Sequence, residues 1–115
     1  MTQSVLKICR LSEWQAAIAA GRYDGSEADQ ADGFIHLSTD LQVAETAAKH
    51  FRGQDDLIVV AFDAVSLGPA LKWEPSRGGA LFPHYYGWLD PALAVWTAPA
   101  RLGHDGVPLV PERGS

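Results

Sequence analysis

The sequence predicts an α+β domain, and three observations carry that prediction. Capping patterns and helical spacing open two helices in the first half of the chain. Short apolar runs, rich in β-branched and aromatic residues, dominate the second half. Too few helices separate the strands for a doubly wound parallel sheet. The chain has 115 residues, which suits one domain over residues 1–115, with residues 100–115 read as a loosely packed tail. A domain of this size buries enough surface to fold without staples.

Val5 to Cys9 reads as the first strand. Ser12-Glu13-Trp14-Gln15 follows with a Ser-x-x-Gln capping box. Trp14, Ala17 and Ile18 continue it at helical spacing, and Gly21 closes the helix. Arg22 to Ala31 is polar and reads as a loop holding at most one helical turn. Phe34 to Leu37 is a short strand. Thr39-Asp40-Leu41-Gln42 repeats the capping box, and Leu41, Ala44, Ala48 and Phe51 form one helical stripe that Gly53 ends.

Leu57 to Phe62 is a continuous apolar run, hence a strand buried on both faces. Asp63 to Gly68 reads as a turn of helix. Leu71 to Glu74 is a short strand stopped by Pro75, and Ser76 to Gly79 is a turn. Ala80 to Gly87 is aromatic-rich, but Pro83 demotes it to an edge strand or an irregular segment. Ala92 to Thr97 is the last strand.

The formal net charge is −5, with no basic patch or stripe, which disfavours a nucleic-acid partner. No apolar stretch reaches membrane-spanning length. The N-terminus lacks the pattern of a secretion signal, so the chain reads as cytoplasmic. The single cysteine, Cys9, excludes an internal disulfide. It sits in an apolar run as a buried, inert thiol.

Asp32-Gly33-Phe34-Ile35-His36-Leu37-Ser38-Thr39 is the most informative stretch. Alternation along a strand places Phe34, His36 and Ser38 on one face, with Ile35 and Leu37 on the core face. An imidazole and a hydroxyl then lie beside an aromatic ring where the strand feeds a helix. The helix start offers free N–H groups, so Ser38 and Thr39 serve either as caps or as part of a phosphate or carboxylate pocket.

A second block, Trp73 to Gly87, gathers Glu74, Ser76, Arg77, His84, Tyr85 and Tyr86 around Gly78-Gly79, where a ligand can approach the backbone. His36 and His84 read either as half-buried structural histidines or as a functional pair. Arg77 holds a phosphate, or it is a solvated loop residue or a partner for Glu74. Glu74 binds a ribose hydroxyl or acts as a base, or it is a surface carboxylate. Tyr85, Tyr86 and Trp88 stack on a planar ring or simply pack. The chain has no dinucleotide fingerprint, phosphate-loop lysine motif or nucleophile elbow. Zinc needs three or four ligands, which His36, His84 and Glu74 could supply, but there is no His-Glu-x-x-His or similar spacing, so no metal site is assigned.

These two blocks together resemble the small bacterial proteins of domain-of-unknown-function family 952, over roughly Val5 to Trp96. That family in turn looks distantly similar to the ADP-ribosyltransferases, including RNA 2′-phosphotransferases that use NAD. The resemblance implies a split, mostly antiparallel sheet with two main helices around an NAD cleft. It implies that His36 hydrogen-bonds the cofactor, with Ser38 beside it, and that His84 and Tyr86 meet the nicotinamide and ribose. Arg77 would meet the pyrophosphate. His36, His84 and Glu74 are then the catalytic candidates. His36, Ser38, Thr39, Arg77, Gly78 and Tyr86 are the binding candidates for NAD or an ADP-ribosyl-type nucleotide. The family's usual late glutamate has no counterpart after Tyr86. The expected function is nucleotide binding with transferase or glycohydrolase chemistry. The alternatives are a non-catalytic module for a small anion and a metal-dependent hydrolase using His36 and His84.

Overall fold

The computed structural model describes residues 3–111, apart from the side chain of Arg77. Among the described residues, six strands form two three-stranded sheets, and every pairing between these strands is antiparallel. The strands are β1 (Ser4–Arg10), β2 (Ile35–His36), β3 (Leu57–Asp63), β4 (Leu71–Pro75), β5 (Leu81–Tyr85) and β6 (Ala94–Ala100). The helices are α1 (Leu11–Ala20), α2 (Glu27–Asp32), α3 (Val43–His50) and α4 (Ala64–Leu67). The first sheet runs β1-β3-β6 and the second β2-β5-β4. One bridge joins them: Leu6 N donates to Ser38 O at 2.7 Å, and Ser38 N donates to Leu6 O at 2.9 Å. The chain is therefore α+β with antiparallel sheets.

The apolar run at the centre of the sequence forms the central strand of the first sheet. Leu57 to Phe62 are all buried, because this sheet is covered on both faces. Val5, Cys9, Ile58, Val60 and Phe62 face one cluster with Trp14, Tyr23, Ile35 and Leu37. Leu6, Ile8, Val59 and Ala61 face another with Val43 and Ala47. Beyond β6, Leu102 bridges Pro108, and Val110 packs on the second cluster.

Several elements depart from the sequence reading. Helix α1 begins at Leu11 with Arg10 as its N-cap, not at Ser12. Arg10 N donates to Glu13 Oε1, and Leu11 N donates to Asp56 O, the residue just ahead of β3. The strand thus turns directly into the helix. Ile18 is exposed, so the buried face is Trp14 and Ala17.

The polar segment read as a loop contains α2, started by a box in which Asp29 N donates to Ser26 Oγ and Ser26 N to Asp29 Oδ2. The reciprocal Thr39–Gln42 bonds do form, but in a turn ahead of α3. Leu41 is 96% exposed, so the face toward the core is Val43 and Ala47 rather than the Leu41 stripe. The last strand starts at Ala94, after a short 3-10 turn capped by Asp90, and runs to Ala100.

Pro83 lies in β5, the middle strand of the second sheet. In an antiparallel ladder a residue's N–H and C=O point to the same side. Pro83 O accepts from Leu37 N at 3.0 Å, so its missing N–H also faces the β2 side. The Trp73–Pro83 pairing with β4 therefore loses nothing. The defect falls where β2 ends, and β2 is only two residues long.

Candidate functional site

Strand β2 puts His36 opposite His84 of β5. Ile35 and Leu37 point into the core as alternation requires, leaving Phe34, His36 and Ser38 on the other face. The Phe34 ring stacks on His84 at 4.1 Å between centroids and lies 4.6 Å from His36 and 5.3 Å from Tyr86. The two imidazole centroids are 5.8 Å apart, edge to face. Both histidines, with Ser38 and Ser76, line a cleft of about 740 Å³. That volume lies within the usual range for small-molecule pockets.

Each imidazole is held by a carboxylate. His36 Nδ1 lies 2.6 Å from Asp29 Oδ1, and the same oxygen accepts the His36 backbone N–H at 3.1 Å. Asp29 Oδ2 accepts from Lys7 Nζ at 2.7 Å and from Ser26 N at 2.9 Å. Lys7 also donates to His36 O. This lysine projects from β1 and is buried, as is Asp29. Burial pushes the Asp29 carboxyl upward, but the His36 hydrogen bond, the Lys7 charge and the donors around it outweigh burial. They hold it well below the usual carboxylate range.

On the other ring, His84 Nδ1 and Tyr86 Oη both lie 2.7 Å from Glu74 Oε1. The hydrogen bonds from Tyr86 and then His84 lower the Glu74 carboxyl, and the Glu74 bond raises the Tyr86 phenol. A carboxylate on Nδ1 fixes the ring's orientation and, in the neutral ring, leaves Nε2 as the reactive nitrogen.

The remaining predicted residues separate. Ser38 Oγ is 2.9 Å from Thr46 Oγ1, which donates to Gln42 O. The Ser38 hydroxyl thus ties β2 to α3 while lining the cleft. Thr39 Oγ1 accepts from Gln42 N, so it caps the turn and is not among the cleft residues. Glu74 and Tyr86 stand behind His84 without lining the cleft, and Gly78 sits in the exposed turn between β4 and β5. The Arg77 side chain lies outside the described residues.

The sequence reading missed Asp29, Lys7 and Asp32. One local signal was present: Ser26-x-x-Asp29 is a capping pair. Nothing local showed that Asp29 would turn inward to His36. Among the described residues, no three His, Cys, Asp or Glu side chains are placed to hold a metal ion. Among them, too, no helix is long and apolar enough to cross a membrane.

Comparisons with known proteins agree with one another. The model of the family described as "Protein of unknown function (DUF952)" matches residues 8–97. The crystal structure of protein CC0527 from Caulobacter crescentus is 52% identical, with a TM-score of 0.89, covering 91% of this chain and 92% of that one. The solution structure of CC0527 is 53% identical, with a TM-score of 0.83, covering 94% and 92%. No curated protein matches the sequence.

Proposed function

The chain belongs to the DUF952 family, and from the geometry of its cleft we propose that it binds NAD or an ADP-ribosyl-type nucleotide there. The observation that carries this reading is the meeting of His36 and His84 beside one cleft, each ring oriented by a carboxylate. His36 and Ser38 would anchor the ribose or nicotinamide end. Phe34 does not line this cleft; it stacks on His84 from outside and backs the imidazole that does.

The chemistry consistent with this arrangement is cleavage at the ribose C1′. The bond to nicotinamide breaks, nicotinamide leaves with the electron pair, and water or another acceptor adds to C1′ and releases a proton. Positive charge builds on the sugar in the transition state, and a nearby carboxylate lowers its energy. Glu74 holds His84 and Tyr86 but does not line the cleft, so it acts on the sugar only through the ring it orients. A protein that binds without turnover would use the same cleft as a binding module for a small anion.

Calorimetric titration with NAD and ADP-ribose tests the reading. Binding at millimolar affinity or better, weakened at least tenfold by His36→Ala, is expected. Absence of binding to both ligands overturns it. Incubation with NAD, followed for free nicotinamide, separates an enzyme from a binding module.

A further inference from the structure

His36 carries two carboxylates, and they are held in very different ways. Asp29 on Nδ1 is 2% exposed and receives Lys7, Ser26 N and the His36 amide as well as the ring. Asp32 Oδ2 lies 2.9 Å from Nε2, on a side chain that is 56% exposed. Among the described residues, His36 is the only polar partner of that Asp32 side chain. Two acceptors cannot face each other at this distance. A hydrogen carried on Nε2 points into the space that the Asp32 carboxylate occupies.

Asp32 is the last residue of α2, and Gly33 follows at a φ of 84° with open space around it. An exposed ion pair of this kind contributes little to stability, and Asp32 lines the same cleft as His84 and Ser38. We infer that the point beside His36 Nε2 is an oxyanion subsite. In the free protein the Asp32 carboxylate occupies the place that a ligand's phosphate or carboxylate oxygen takes. The chemistry is the attraction of a ring N–H at Nε2 for an anionic oxygen, and Asp32 holds that place as an ion-pair contact at 2.9 Å. A ligand must displace Asp32, while Asp29 keeps the ring in place. The inference rests on reading this cleft as a ligand site, and it moves His36 from the ribose or nicotinamide end of the ligand to an anionic oxygen.

Removing Asp32 therefore strengthens anion binding. Asp32→Ala and Asp32→Asn are titrated with ADP-ribose, inorganic phosphate and acetate, following the His36 backbone amide by NMR. Losing one exposed competing ion pair corresponds to roughly a two- to fivefold tighter Kd, with no comparable gain when His36 is already alanine. Equal or weaker binding of all three probes by both Asp32 variants overturns the inference. If ADP-ribose binds the wild type and both variants equally, the nucleotide reading stands and the subsite falls. If only phosphate or acetate binds, and binds the variants more tightly, the subsite stands and the nucleotide reading falls. If no probe binds any form, both fall.

Discussion

Replacing Asp29 with asparagine tests whether the buried charges under His36 form one unit. The substitution keeps the size of the side chain and leaves Oδ1 able to accept from His36. It also puts an NH2 group where Oδ2 accepted from Lys7 Nζ and Ser26 N, so donors face donors. Lys7 is 5% exposed and Asp29 2%, so solvent cannot rescue the stranded ammonium. Breaking a buried ion pair on one side costs about 3–5 kcal/mol. At roughly 4 °C per kcal/mol for a domain of this size, the melting temperature should fall by about 12–20 °C. Thermal and urea unfolding at pH 7 measure this, with Asp32→Asn as a control that should stay within about 1 kcal/mol of wild type. Combining Lys7→Met with Asp29→Asn should recover part of the loss, because no unpaired charge then remains. An Asp29→Asn variant within about 1 kcal/mol of wild type would show that Lys7, Asp29 and His36 are not one unit.

The Asp29 carboxyl is held low in the folded chain, so the unfolded chain takes up its proton first as pH falls. Its contribution is full above about pH 4 and declines below that; urea midpoints measured down the acid range should show this, with a flatter profile for Asp29→Asn. Gly25 has a φ of 98°, and a Cβ there would lie 2.7 Å from Asp29 Cβ. Gly25→Ala should cost about 2–4 kcal/mol through backbone strain and crowding, seen as a lower urea midpoint. Burial pushes the Cys9 thiol up to about 12, so it should resist a disulfide reagent at pH 8 in the native protein and react once unfolded. Glu74→Gln should lower the pH at which the Tyr86 phenol ionises, read by ultraviolet absorbance against Tyr86→Phe.

The strands were legible because they carry their own signals. The β-branched run at Leu57 to Phe62 and the alternation at Phe34 to Ser38 fix which side chains are buried, and so brought His36 to the correct face. Helix α2 was not legible. Glu27 to Asp32 has no apolar stripe, and its helix rests on the Ser26 cap and on Asp29 turning inward. That burial depends on Lys7, 22 residues away, which reads locally as one polar residue in an apolar strand.

The Leu41 stripe misled because Leu41 has the right spacing but falls in the turn ahead of the helix. Pro83 misled because its missing donor was assumed to disrupt a ladder, whereas it faces the side where β2 stops. The pairing of His36 with His84 required the register between β2 and β5, which no local pattern supplies.

His36 and His84 are proposed to belong to one nucleotide site. Titrating ADP-ribose while recording the ring nitrogen resonances of both histidines tests it most directly. With one shared site, both rings shift along a single saturation curve with one Kd. Saturation that moves neither ring, or that moves His36 and His84 with different midpoints, would contradict it.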